Sequence, residues 1–216
     1  VDLLEYLDQW EQVLRKATAI FKATPSNNLP FSRAGEWMLD NFYVVKQTFR
    51  QIIENLPNNF LNQLPKLDGT YLHGHLRIFA LAWEWIGYSQ SQLDITQITS
   101  FVKDYQQIPP LTIGELWALP TMLRIGIIER LVYAATDLTG VDVPKGLSPL
   151  SETGLPGKIS GQFDAQVLSN EIIVANCFLS LRLLSTTDWK DFFEQTSRVD
   201  QILRDDPANI YTRMDF

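Results

Sequence analysis

The sequence predicts an all-α protein, an irregular assembly of about seven to nine helices. Three observations support this fold class. Apolar residues recur every three or four positions along most of the chain, which is the spacing of one helix face. Helix-capping residues and prolines interrupt that spacing and mark helix starts and ends. No pair of segments shows the alternation expected of paired strands.

The first half of the chain divides into four predicted helices. Asp2 can cap the first, whose apolar residues continue to Phe21. Ser32 opens the second, and Pro57 ends it. After a polar stretch, residues 72–88 form a third helix rich in aromatic side chains. Asp94 caps the fourth, and two prolines at 109 and 110 stop it.

A capping box predicts where the fifth helix starts. Thr112 can accept hydrogen bonds from first-turn amides, while Glu115 reaches back to the amide of Thr112. We expect this helix to run towards Asp137, kinked or split at Pro120. Further helices are predicted over residues 165–184 and 188–203, followed by a short one beginning at Asp206 and Pro207. The sequence thus predicts a helical part at 1–139, a linker rich in Pro, Gly and Ser at 140–164, and a second helical part at 165–216, together forming one domain.

Composition excludes several classes of function. The 216 residues are 45% hydrophobic and 20% charged, which is typical of a globular protein. A net charge of -7 and a pI near 4.8 argue against binding to nucleic acid or to an anionic lipid surface. The single cysteine, Cys177, lies in an apolar segment, and we expect it to be buried and unpaired. The longest uncharged apolar run is about half the ~20 residues that a bilayer span needs, so we expect no membrane insertion of this chain.

No recognised catalytic motif is present. The chain lacks Asp-x-Asp, a phosphate-binding loop, Gly-x-Ser-x-Gly and His-Glu-x-x-His. His73 and His75 have no third ligand at a familiar spacing, so we predict no metal site and no catalytic or cofactor-binding residue. The remaining polar candidates for interaction are Glu36, Trp37, Asp40, Asn41, Arg77, Glu115, Trp117 and Arg124.

Two interpretations of these candidates differ. Glu36 and Asp40 lie four residues apart on one helix face beside Trp37, so they can form a glycosidase-like carboxylate pair or simply a solvated acidic face. Arg77 and Arg124, like Arg182, interrupt apolar stretches and need acceptors. We therefore predict ion pairs between helices, with Asp40, Glu36 or Glu115 supplying the carboxylates.

Several segments resemble a known family. The strongest is residues 105–124, which include LTIGELWALP, and another is residues 36–42, EWMLDNF. With Glu129, Asp188, Trp189, Asp206, Pro207 and residues 211–216, they are similar to the N-terminal helical region of bacterial cyclic β-1,2-glucan synthases. In that family a longer helical stretch occupies the place that residues 140–161 fill here.

The resemblance implies a large inner-membrane parent enzyme. Such proteins contain a glycosyltransferase module that uses UDP-glucose, with a divalent metal, and phosphorylase-like modules that act on the glucan. The resembled region precedes the transferase module, so no catalytic residue is carried over. It implies an accessory, scaffolding or regulatory domain at the cytoplasmic face, contacting other modules of the parent or another copy of itself. The alternatives are a carbohydrate-binding or carbohydrate-active domain and a general protein-interaction module.

Overall fold

The computed structural model describes residues 3–24, 29–56, 60–68, 72–142, 168–199 and 202. These residues form seven α-helices, one short 3-10 turn at Leu61–Gln63 and no named strand. The prediction of an all-α fold is confirmed. The helices are α1 (Leu3–Ala23), α2 (Leu29–Asn55), α3 (Arg77–Tyr88), α4 (Ile95–Tyr105), α5 (Ile113–Thr139), α6 (Asn170–Thr186) and α7 (Trp189–Thr196).

The central element is α5, which packs against α1, α2, α3, α6 and α7. Every residue of α5 from Ala118 to Glu129 is buried. A helix stretch that is buried on every side lies inside a core, and this part of α5 has that character. The Thr112 capping box starts the helix as predicted, and Gly140 ends it in a left-handed conformation at φ 70°.

Two helix starts predicted in the first half of the chain were wrong. Helix α2 begins at Leu29 rather than Ser32, because Pro30 lies in the first turn, where its missing N–H has no helical partner to lose. Helix α5 continues through Pro120, so the predicted split does not occur there. Helix α3 begins at Arg77 rather than at residue 72. The amides of Gly74 and Arg77 instead donate to the carbonyls of Leu67 and Pro65, at 2.9 Å each.

Two boundaries in the second half also differ. Helix α6 begins at Asn170, five residues later than predicted. Helix α7 ends at Thr196. The side-chain N–H of Gln106 donates a hydrogen bond to the Thr196 carbonyl at 2.8 Å. Most of the predicted linker, together with the short helix at Asp206 and Pro207, lies outside the described residues. The domain boundaries therefore remain predictions.

Gly126 sets the distance between α3 and α5. A Cβ atom at this position would stand 2.5 Å from Cδ1 of Ile86 and 3.6 Å from Cε3 of Trp83. Ile86 is fully buried, so its side chain has little room to move. An alanine here would force the end of the Ile86 side chain to shift, so glycine favours the close approach of the two helices.

We expect Gly126→Ala to lower the free energy of unfolding by about 1 kcal/mol. Overpacking destabilises the folded state by about 1–3 kcal/mol. The higher helix propensity of alanine offsets about 1 kcal/mol of that loss. Urea unfolding followed by circular dichroism measures this change. In an Ile86→Val background the clashing methyl is gone, and Gly126→Ala should then be neutral or stabilising. An equal loss in both backgrounds would contradict the contact.

Candidate functional site

The most developed polar cluster joins the start of α3 to the start of α5. Arg77 Nε donates to Glu115 Oε1 at 2.8 Å, and Arg77 Nη2 donates to Glu115 Oε2 at 2.6 Å. Nη2 also donates to the Pro110 carbonyl at 3.0 Å. The Glu115 side chain is 0% exposed and that of Arg77 is 19% exposed. This is a bidentate ion pair in a largely water-free setting.

Glu115 also completes the capping box. The amide of Thr112 donates to Glu115 Oε2 at 2.8 Å, and the Thr112 hydroxyl donates to the same oxygen at 3.0 Å. In return, the amide of Glu115 donates to the Thr112 hydroxyl at 3.2 Å. One carboxylate therefore caps its own helix and pairs with a second helix.

The environment holds this pair in its charged form. Burial acts to raise the pKa of Glu115, but hydrogen bonds from Arg77 and Thr112 outweigh it, so the pKa lies below the ordinary value. The hydrogen bond to Glu115 raises the pKa of Arg77, against the opposing effect of burial. A carboxylate that stays ionised and fully bonded is poorly suited to proton transfer. Its bonds join the start of α3 to the start of α5.

A second cluster joins α2 to α6. Asn41 donates its side-chain N–H to the Trp37 carbonyl at 2.9 Å, and its Oδ1 accepts a hydrogen bond from Arg182. Arg182 also donates to the Tyr43 hydroxyl at 3.4 Å. The Trp37 ring stacks on Phe178 with centroids 6.2 Å apart and planes 15° apart. Trp37 is half-buried, whereas Phe178 is fully buried.

The two carboxylates beside this cluster are placed differently from the prediction. Glu36 and Asp40 are both exposed on the outer face of α2. Asp40 forms no ion pair with Arg77 or Arg124 in the part of the chain that the structure describes. Of the three carboxylates predicted as partners for these arginines, Glu115 pairs with Arg77. Asp40 does not, because its helix position faces solvent, whereas Asn41, one residue on, faces α6.

Arg124 uses a different acceptor from the predicted carboxylate. Its Nη2 donates to the Leu184 carbonyl at 2.7 Å, in the last turn of α6. Trp189 Nε1 donates to the same carbonyl at 3.3 Å. Burial lowers the pKa of Arg124. Cationic groups stabilise helix C-termini, so Arg124 acts from α5 as a cap for α6.

Trp117 is the one candidate that projects a large apolar surface outwards. Trp117 is 59% exposed, and the centroid of its ring lies 4.6 Å from the ring centroid of Phe193 on α7. Ile113, one turn earlier on α5, is also exposed. Exposed tryptophans are enriched where proteins bind partners or sugars. We call Trp117, Phe193 and Ile113 the aromatic patch.

The described residues contain no group of three or more metal-ligating side chains. His73 lies at the surface with Nδ1 3.6 Å from Asp68, and burial lowers the pKa of the half-buried His75. Cys177 is fully buried, which raises the pKa of its thiol to about 12 and leaves it protonated. Among the helices described, none combines the length and apolar character that crossing a bilayer requires.

Sequence reasoning missed a polar network around the loop that joins α3 to α4. Gln90 and Ser91 in this loop are bonded to Asn176 and Ser180 of α6. The sequence does not show which residues of this network pair, because the partners lie 86 and 89 residues apart. Asn176 and Ser180 are buried polar residues at i and i+4 of a helix, and in retrospect that spacing marks one polar stripe.

These contacts define the class of the chain: an all-α domain whose charged and polar candidates mainly bond one helix to another. No protein-family model matches it. The chain is 26% identical over 259 residues to the cyclic beta-(1,2)-glucan synthase NdvB of Rhizobium meliloti (strain 1021). The match includes 91% of this chain and 9% of that relative. The chain is therefore related to a fragment of a cyclic β-(1,2)-glucan synthase.

The alignment also bears on the predicted linker. It extends over 259 residues, which exceeds the 216 residues of this chain. The relative therefore has residues within the matched region that this chain lacks. A shorter stretch at 140–161, as the resemblance implies, is compatible with that difference.

Proposed function

We propose that this chain is an accessory helical domain of a cyclic β-1,2-glucan synthase-like glycosyltransferase that polymerises glucose from UDP-glucose. Its role is scaffolding or regulatory, and it acts at the cytoplasmic face of an inner-membrane parent. The observation that carries the proposal is the set of hydrogen bonds made by the Glu115 carboxylate. The one fully buried carboxylate among the candidate residues is bonded to Arg77 and Thr112 and is not available for chemistry.

The relation to a glucan synthase supplies the context. The chain spans only 9% of that relative's length, so a domain of this kind would have many further modules as neighbours. In the proposal, UDP-glucose and the divalent metal bind elsewhere in the parent, and no cofactor binds here. The partners are other modules of the parent, or a second copy of this chain, and the aromatic patch is the surface that contacts them.

Carbohydrate binding is the second candidate function, and the exposure of Trp117 is the observation that favours it. A tryptophan fixed against Phe193 offers a flat apolar face on which a glucose ring can stack. A carbohydrate-active domain with Glu36 and Asp40 as a glycosidase-like pair has less support. Both carboxylates lie on an open helix face rather than in a cleft.

We expect the isolated chain not to bind UDP-glucose in the micromolar range, because no phosphate-binding loop or metal set is present in the described residues. Isothermal titration calorimetry with UDP-glucose and Mg²⁺ measures this directly. Micromolar binding, or release of UDP, would show that the chain contains a transferase site and would refute the accessory role.

Surface variants of the parent enzyme distinguish the accessory, catalytic and sugar-binding roles of the domain. With labelled UDP-glucose and membranes containing the full protein, Trp117→Ala should reduce glucan synthesis, while Glu36→Gln and Asp40→Asn should leave it unchanged. If Glu36→Gln abolishes synthesis and the isolated chain melts normally, the domain is catalytic. If Trp117→Ala removes a fluorescence response of the isolated chain to β-1,2-glucan, the patch binds sugar.

A further inference from the structure

The loop between α3 and α4 has an unusual backbone. Gln90 and Ser91 have φ angles of 49° and 64°, so two consecutive residues other than glycine are left-handed. The amides of Gln90 and Ser91 donate to the Gly87 and Ile86 carbonyls at 3.2 and 2.9 Å, the arrangement that closes a helix C-terminus. Glycine is the residue that takes this conformation without strain. Strain of this kind persists only where the surroundings enforce it.

Helix α6 supplies the enforcing bonds. Asn176 Nδ2 donates to the Gln90 carbonyl at 3.1 Å, and Ser180 Oγ donates to the Ser91 carbonyl at 2.7 Å. Ser180 Oγ also accepts from the Leu93 amide at 2.9 Å. Ser91 and Ser180 are both buried, so water cannot replace these bonds while the helices stay packed.

The far end of α4 is bound to the same half of the chain. Gln106, which follows α4, donates its side-chain N–H to the Thr196 carbonyl at the end of α7 at 2.8 Å. Arg198 Nη1 donates to the Gln106 carbonyl at 2.9 Å. Helix α4 packs beside α7. Both ends of α4 are thus attached to the segment 168–199.

We propose that the loop of residues 89–94 is a strained latch that lets α6 and α7 control the position of α4. While Asn176 and Ser180 are bonded to the loop, the left-handed conformation is maintained and α4 stays docked. A displacement of α6 removes those bonds, the loop relaxes to ordinary backbone angles, and α4 leaves its place. The latch couples the C-terminal helices to α4 without a ligand at either site, and it does not depend on the proposed function.

Hydrogen exchange of the chain read by mass spectrometry or NMR tests the latch. In Ser180→Ala the Ser91 carbonyl and the Leu93 amide lose their partner, and amides of residues 89–106 should exchange at least about tenfold faster. Exchange in α5 should change by less than about twofold. Ser185→Ala is the control and should leave exchange unchanged, because Ser185 is exposed on the same helix and its hydroxyl donates to the Arg182 carbonyl. Equal acceleration in α4 and α5 would show global destabilisation instead, and no acceleration would equally overturn the latch.

A second pair of variants tests the strain without substituting a residue of α6. Ser91→Gly and Ser91→Ala both remove the hydroxyl, but only glycine tolerates a φ of 64° freely. We expect amides of residues 89–94 to exchange about fivefold more slowly in Ser91→Gly than in Ser91→Ala. Identical exchange in the two variants would show that the loop stores no strain. This comparison remains decisive if Ser180→Ala fails to fold.

Discussion

Glu115→Ala is expected to lower the free energy of unfolding by about 3 kcal/mol. Breaking a buried ion pair by removing one partner costs about 3–5 kcal/mol, because the other charge stays buried. We use the lower end of this range because the Arg77 side chain is 19% exposed and can be partly hydrated once Glu115 is removed. Domains have only about 5–15 kcal/mol of stability, so the loss is large. Urea unfolding monitored by circular dichroism measures it.

Thr112→Ala is the matched control for that variant. It removes the cap but leaves the ion pair, and should cost about 1 kcal/mol. If Glu115→Ala costs no more than Thr112→Ala, the bond to Arg77 contributes nothing beyond the cap, and the structural interpretation of the pair fails. If Glu115→Gln leaves stability unchanged but stops glucan synthesis by the parent, the residue is functional rather than structural.

The same residue gives the stability a pH dependence. The pKa of Glu115 is lowered in the folded state, because hydrogen bonds from Arg77 and Thr112 outweigh the effect of burial. Its contribution is therefore complete above the ordinary carboxyl pKa and is lost as the pH falls through the folded value. The stability difference between wild type and Glu115→Gln should be constant above about pH 5 and shrink below it. A difference that grows towards acid would contradict the lowered pKa.

Trp37→Ala is expected to cost about 3 kcal/mol, near the low end for truncating a tryptophan, since Trp37 is half-buried. Its ring covers Phe178, whose side chain is fully buried, and truncation leaves an empty space over that ring. Trp117→Ala removes the same number of atoms from an exposed position and should cost less than about 1 kcal/mol. Thermal melting of the two variants gives the comparison.

The tryptophan fluorescence response to β-1,2-glucan tests whether Trp37 also contacts sugar. We expect β-1,2-glucan to leave the fluorescence of Trp37 unaltered, because Trp37 is half-buried against the core residue Phe178, whereas Trp117 is largely exposed. A Trp37→Ala variant that melts like the wild type, together with loss of a wild-type glucan response in that variant, would assign Trp37 to a sugar site. It would overturn the scaffold role of α2.

The sequence alone determined the features that depend on near neighbours along the chain. Apolar spacing repeats within one helical turn, so it predicted helices in the right places. Asp94 accepts from the Gln97 amide and Thr112 from the Glu115 amide, three residues apart in each case, so both caps were predictable. The resemblance to glucan synthases likewise depended on contiguous segments, and the relation found by comparison agrees with it.

Only the tertiary structure decided which polar groups meet. Glu115 pairs with Arg77 across 38 residues, and Arg182 reaches Asn41 across 141, whereas Asp40 faces solvent. The left-handed backbone at Ser91 is likewise enforced by α6 rather than chosen by a glycine. A capping bond is set by local geometry, but the choice between two carboxylates on different helices depends on how those helices pack. That packing is fixed by side-chain shape over the whole core, which no local pattern encodes.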